Sequence, residues 1–317
     1  AKWVYPSVPM GVLSIASYAG AHADVDFTIL DLSVEISNFI NSSHTLSLNE
    51  FITQRMSNLY SKRQPDIVGI SAIFNSNGGY LHLISSQAKS LWPDALVVAG
   101  GGLPTNMPEY VFKNALCIDA LNIGEGEKPF LGLINAENRK EYLSSAKGWL
   151  TNKRIHPFSA EEVISDLDEI SFLRYDLIDI KNYQGYHHQG TEGSKTLSAP
   201  IMTSRGCPYR CNFCSSYTVH GRKMRHYSTD RILADIRRLK ETYSIKNVLI
   251  EDDLFLGDKK QSLRVLRSIS QEGMSIEFTN GLSINHIDEE IADALKGAGV
   301  EIASLAVESG CERVLNE

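Results

Sequence analysis

The sequence predicts an α/β protein of two domains. A doubly wound parallel sheet is expected over residues 1–150, and a second β/α series, a barrel or part of one, over 196–317. Residues 151–195 read as a connector. Three observations carry this. Apolar runs that end in glycines and lead into helical periodicity recur through the first half. The same alternation restarts at residue 199 and supplies four strand–helix units. Between the two series lies a stretch of mixed acidic and aromatic residues with no period. Strand, glycine turn and helix in repetition indicate parallel strands joined by crossover helices.

In the first half, DFTIL (26–30) is a short apolar run. IVGISAI (67–73), β-branched and following Pro65-Asp66, predicts a strand buried on both faces. HLISSQAKSLW (82–92) carries Leu83, Ile84 and Leu91 and is ended by Pro93, which predicts a helix. ALVVAGGG (95–102) is a strand that runs into glycines, and ALNIGEGE (120–127) repeats the pattern. Ligands of such sheets lie beyond the carboxyl ends of the strands. The loops SAIFNSNGG, AGGGLPTN and IGEGEKPF therefore form the predicted ligand edge. Their glycines would let a flat or phosphate-bearing ligand approach the backbone, although glycine also ends strands for local reasons alone. No G-x-G-x-x-G occurs, so a dinucleotide has little support.

In the second series, APIMTSRG (199–206) is a strand entering a cysteine-rich loop. STDRILADIRRLKETY (228–243) predicts a helix capped by Ser228, with Ile232, Leu233, Ile236 and Leu239 on one face. KNVLIEDDLF is a strand with an acidic end, and KKQSLRVLRSISQEG a helix stopped at Gly273. SIEFTNGLSI is a strand, DEEIADALKGAG a helix and VEIASLAVESG a fourth strand. Barrel active sites lie at the C-terminal ends of strands, where the cysteine loop, EDD, TNG and ESG all fall. In the connector, His187 and His188 are adjacent, point different ways and read as part of a solvated loop.

Of the 317 residues, 43% are hydrophobic and 22% charged, the balance of a soluble globular protein. A formal net charge of -7 without a basic tail argues against a nucleic-acid partner. No apolar run approaches the roughly 18 residues that a membrane span needs. The N-terminus lacks the charged and apolar regions of a signal peptide, and the expected location is the cytoplasm. The chain starts at Ala1 and stops at Glu317 within a helical pattern, so it is expected to be a fragment.

Three of the five cysteines, Cys207, Cys211 and Cys214, fall within eight positions. An odd total with three bunched is a poor disulfide framework and fits a metal or redox site in a reducing compartment. Structural zinc wants four ligands. Cys211 and Cys214 with His220 and His226 would supply them, but at half the usual separation and with Cys207 unused. A bacterial ferredoxin run needs a fourth, closer cysteine. Three thiolates suit a four-iron cluster whose remaining iron keeps an open position, the logic that separates a catalytic metal from a structural one.

The spacing C-x3-C-x-Φ-C after a strand, here Cys207, Cys211, Phe213 and Cys214, resembles the signature of radical S-adenosylmethionine (SAM) enzymes. YPSVPMGVLSIASYA, AGGGLPTNMPEYVF, IGEGEKPF, DLDEISFLRYDLID, RGCPYRCNFCS, IEDDLF and AVESGCERVL occur in that order over nearly the whole chain. They resemble the subgroup with an N-terminal, Rossmann-like cobalamin-binding domain. The resemblance implies a [4Fe-4S] cluster on Cys207, Cys211 and Cys214, and SAM chelated at the open iron and cleaved to a 5′-deoxyadenosyl radical. It places Phe213 near the adenine, Asp252 and Asp253 at the methionine amino group without choosing between them, and Glu308 near the ribose or amino acid. For cobalamin it points to Ser71, Asn75, Gly101, Gly102 and Glu125. D-x-H-x-x-G is absent, so no histidine is expected as lower ligand. The implied reaction is methyl transfer to an unactivated carbon or phosphorus of a small-molecule or natural-product-like substrate, with an electron donor such as flavodoxin or ferredoxin. Alternatives are a radical enzyme that performs cyclisation or rearrangement without cobalamin, and a non-catalytic iron–sulfur or zinc protein.

Overall fold

The structure, a computed structural model, describes residues 6–42, 45–59, 64–154, 163–183 and 197–315. His187 and His188 lie outside the described residues, as does the side chain of Asn75. The chain divides into two compact units. The first comprises Ala1–Ser165, Glu169–Asp179 and Arg210–Gly221; the second comprises Asp166–Asp168, Ile180–Tyr209 and Arg222–Glu317.

In the first unit, helices α1 (Met10–His22), α2 (Leu32–Asn41) and α3 (Leu48–Leu59) precede the sheet. Then follow β1 (Ile67–Ser71), α4 (Gly78–Leu91), β2 (Leu96–Gly100), α5 (Gly102–Asn106), α6 (Pro108–Asn114), β3 (Ala120–Asn122), α7 (Glu127–Asn135), α8 (Arg139–Ser145) and β4 (Trp149–Leu150). The strand order is β1-β2-β3-β4, with the first three parallel and β4 antiparallel to β3. Side chains of β2 alternate between two cores, as the strand period requires. Val97 and Ala99 pack with Ile52, Leu81, Ile84 and Trp92, whereas Leu96 and Val98 pack with Leu133, Leu143 and Trp149. Helices thus cover both faces, as expected of a doubly wound sheet. Each such aliphatic side chain contributes about 1.5–3 kcal/mol on burial.

Two expectations need correction. The strand at 67–71 is not buried on both faces: Gly69 and Ser71 are exposed and Ile67, Val68 and Ile70 half-buried. It is the edge of the sheet, with β2 as its strand neighbour. The run 26–30 forms no regular element; its Phe27 ring lies 6.5 Å from that of Phe130.

After the strand β5 (Ser198–Ile201) and the short β6 (Ser204–Arg205), helix α9 (Ser216–His220) packs with the first unit. The second unit resumes with β7 (Arg225–His226), α10 (Thr229–Tyr243), β8 (Asn247–Ile250), α11 (Lys259–Ser270), β9 (Ser275–Phe278), β10 (Leu282–Ser283), α12 (Glu289–Gly297), β11 (Leu305–Ala306) and α13 (Glu312–Leu315). Strands β5, β8 and β9 are parallel neighbours in that order, and β10 pairs in parallel with β11. Ser228 caps α10 as predicted, accepting from the Arg231 N–H at 3.1 Å. Asp258 and Asp288 cap α11 and α12 in the same way. The predicted strand SIEFTNGLSI is two strands, β9 and β10, broken where Gly281 takes a φ of +75°. Among the described residues, no helix is long and apolar enough to cross a membrane.

Candidate functional site

The cysteine loop is framed before it begins. Beyond β5 the chain forms β6, which pairs antiparallel with β7, Ser204 opposite His226 and Arg205 opposite Arg225. The Tyr227 N–H donates to the Thr203 carbonyl at 3.0 Å. The chain therefore leaves and returns through one small ladder. Gly206, directly before Cys207, has a φ of +91°, which an L side chain rarely adopts. Cys207 is half-buried, and Cys211 and Cys214 are exposed. The Cys214 N–H donates to the Cys211 carbonyl at 3.2 Å, so these two share a tight turn. The Phe213 ring between them is 71% exposed. All five cysteines are thiols rather than disulfides. Among the described residues, no three His, Cys, Asp or Glu side chains are gathered for a single metal ion. A four-iron cluster spaces its thiolates farther apart than one ion does, and three thiols on one glycine-led loop are the donors it uses.

The acidic end of β8 divides into two roles. Asp252 is buried, with Oδ1 accepting from the Thr203 N–H at 2.6 Å and Oδ2 from the Thr203 hydroxyl at 2.5 Å and the Ser204 hydroxyl at 2.7 Å. Burial pushes its carboxyl up, while the bonds from Thr203 and Ser204 pull it down. This side chain fastens the start of the cysteine loop, and its oxygens are committed there. Asp253, next along, is half-buried, and its Oδ2 accepts from the Gly206 N–H at 3.3 Å. Glu308, just past β11, is exposed and has a φ of +64°, a left-handed conformation uncommon for a residue with a side chain.

The ligand edge of the first sheet is built by close backbone contact. Ser71 is exposed at the end of β1, and Asn75 opens the turn that leads into α4. The Ala72 N–H donates to the Gly100 carbonyl at 2.9 Å, and the Leu103 N–H to the Ala72 carbonyl at 3.0 Å. Gly101 has a φ of +103°, and a Cβ there would lie 2.7 Å from the Ala72 oxygen. A Cβ on Gly102 would meet the Ile73 oxygen. Beside this frame Ile73 and Phe74 stand 59% and 68% exposed. An apolar surface over bare backbone fits one face of a flat macrocycle. Glu125 is different: it is buried, with Oε1 accepting from the Nδ1–H of His220 at 2.9 Å, and so does not present its carboxylate at the edge.

Comparison with known proteins agrees with this layout. Residues 1–134 match the B12 binding domain family, and residues 201–317 match the radical SAM superfamily. The chain belongs to the radical SAM enzymes that carry an N-terminal B12-binding domain. An uncharacterized methyltransferase of Pyrococcus horikoshii is 31% identical over 81% of this chain and 54% of its own length. Cytidylyl-2-hydroxyethylphosphonate methyltransferase of Streptomyces wedmorensis is 27% identical over 80% of this chain and 52% of its own. The chain thus spans about half the length of these relatives. Among solved structures, the radical SAM methyltransferase TsrM of Kitasatospora setae, with tryptophan and a SAM analogue bound, superposes with a TM-score of 0.73. It does so at 18% identity, over 99% of this chain and 59% of its own.

This radical SAM chain holds a further carboxylate in the acidic strand end, with no ligand role assigned to it above. Glu251 follows β8 directly and precedes Asp252, so by strand alternation it faces the opposite side from Asp252. Burial alone pushes its carboxyl up to about 7. Because the folded-state value lies above the ordinary one, the folded protein holds the proton longer as pH rises. The charge, once formed, weighs against folding. Stability from this group should therefore decline between about pH 4.5 and 7 and stay reduced above. Glu251→Gln is expected to flatten that decline and to add about 1–3 kcal/mol at pH 8. Urea denaturation at pH 5 and pH 8 checks it, and an unchanged pH slope would refute it.

Proposed function

We propose that this protein is a cobalamin-dependent radical SAM methyltransferase acting on carbon or phosphorus of a small molecule. The observation that carries the reading is the loop of three thiols, led by Gly206 and fastened by Asp252, in a chain whose N-terminal sheet ends its strands in a glycine-framed apolar edge. Cys207, Cys211 and Cys214 would hold a [4Fe-4S] cluster, and Ser71, Asn75, Gly101 and Gly102 would line the cobalamin site. When bound, the cluster supplies the electron that cleaves SAM, and cobalamin carries the methyl group. Phe213 would cover the adenine. Asp253, the partly open member of the acidic pair, suits the methionine ammonium, since a carboxylate and an ammonium form a charge-assisted bond. Glu308 would reach the ribose or amino acid from the end of β11. A flavodoxin or ferredoxin would supply electrons. The names of the relatives, a phosphonate methyltransferase and a tryptophan-bound methyltransferase, support the substrate class.

The test is anaerobic reconstitution with iron and sulfide, then incubation with SAM and a reductant. Formation of 5′-deoxyadenosine, with a shifted spectrum on adding hydroxocobalamin, is the expected result. One zinc and no iron in the purified protein would sink the reading.

The residues at the edge also bear on the lower face of the corrin. SAIFNSN (71–77) contains no histidine, and its exposed large side chains are Ile73 and Phe74. If cobalamin is held here, this loop would supply no imidazole nitrogen to its cobalt. Electron paramagnetic resonance of the cobalt(II) form should lack nitrogen superhyperfine splitting; splitting from an axial imidazole would contradict it.

A further inference from the structure

We propose that Glu125 and His220 form a latch that couples cobalamin binding to the seating of the loop arm bearing Cys211 and Cys214. The inference rests on the functional reading above and adds a role for two residues within it. Segment Arg210–Gly221 belongs to the first compact unit, so these two cysteines and the glycine-framed edge are parts of one body. Helix α9 starts two residues after Cys214, and the contacts that hold it include two side-chain bonds. His220, at its end, meets Glu125 at 2.9 Å, with side chains 21% and 2% exposed. The Thr218 hydroxyl donates to Asn106 Oδ1 on α5 at 3.0 Å. The two receiving loops are themselves joined, because the Gly124 N–H donates to the Thr105 hydroxyl at 3.1 Å. The arm thus rests on the loops that follow β2 and β3, both at the ligand edge.

A buried carboxylate is costly unless its partner stays in place. The loop that holds Glu125 and the helix that holds His220 are therefore ordered together. A ligand that orders the loop lowers the ordering cost of the cysteine arm, and linkage makes the effect reciprocal. His220 and Glu125 act here as positioning residues. Neither is required to touch a cofactor.

The experiment is a spectroscopic titration with hydroxocobalamin of the full chain, with and without the reconstituted cluster. The cluster-loaded protein should bind about fivefold or more tightly, the lower range of measured coupling. In His220→Ala and Glu125→Gln the ratio should fall to about one with iron content retained. His220→Asn, whose amide N–H can stand where Nδ1–H does, should restore it. A ratio of one in the unaltered protein, or the same ratio in the variants, would overturn the proposal while leaving the functional reading intact. Failure to bind cobalamin at all would overturn both. If the variants do not fold, hydrogen exchange of the unaltered protein decides. Cobalamin should slow exchange at residues 216–221, and no change there refutes the latch.

Discussion

Cys207→Ala, Cys211→Ala and Cys214→Ala are each expected to abolish the four-iron cluster, with iron content and the visible charge-transfer absorption falling to background. One thiol follows the Gly206 turn, and the other two share the turn closed by the Cys214 N–H. A cluster held by three thiolates has no spare ligand to lose. The remaining cysteines sit in other settings. Cys117 is half-buried ahead of β3, and Cys311 is exposed beyond β11. Cys117→Ala and Cys311→Ala should leave iron content unchanged. Iron loss in either would show the ligands to be wrongly assigned.

The two adjacent aspartates should part company under substitution. Asp252→Ala removes the acceptor for three donors, the Thr203 N–H and the Thr203 and Ser204 hydroxyls, in a buried setting. Removing one partner from a buried charged network costs about 3–5 kcal/mol, and a loss of folding stability in that range is expected. Asp253→Ala should cost less than Asp252→Ala, because its bond from the Gly206 N–H is long and its side chain is half-buried. SAM affinity should behave the other way. Asp253→Ala should weaken it roughly tenfold to hundredfold with the fold intact, as loss of a charge-assisted bond requires. Chemical denaturation and equilibrium dialysis with SAM separate the two effects. Equal stability losses at both positions would refute the division of labour.

Signals are legible in the sequence where the physics is local. Ser228 caps α10 within three residues, and β2 runs into its glycines as its apolar pattern predicts. Helix α1 was not legible, because its buried side includes Ser14 and Ser17 beside Leu13 and Ala16. Those hydroxyls find partners across the fold: Ser14 donates to Glu127 at 2.5 Å, and Ser17, which donates to the Leu13 carbonyl within the helix at 2.6 Å, accepts from the Arg174 N–H at 2.9 Å. The edge position of β1 was hidden for a related reason. A β-branched run reports apolar character, whereas the number of neighbouring strands is a property of the whole sheet. Asp252 and Asp253 look alike as letters, and only strand alternation tells the fastener from the open carboxylate. The partnership of Glu125 with His220 spans 95 positions and leaves no local trace. Glu125, expected from the resemblance to face the corrin, is buried against His220.

The glycine pair at 101 and 102 has an evolutionary consequence. Its contacts run from backbone to backbone, so the spacing between the loops after β1 and β2 does not depend on which side chains those loops carry. Selection acting on ligand preference is then free to vary Ser71, Ile73 and Phe74, whose side chains point outward from a frame they do not support. Descendants of this chain could diverge in what they bind at this edge while two positions stayed closed to change. The scaffold and the recognition surface would evolve at different rates, although they share the same handful of residues.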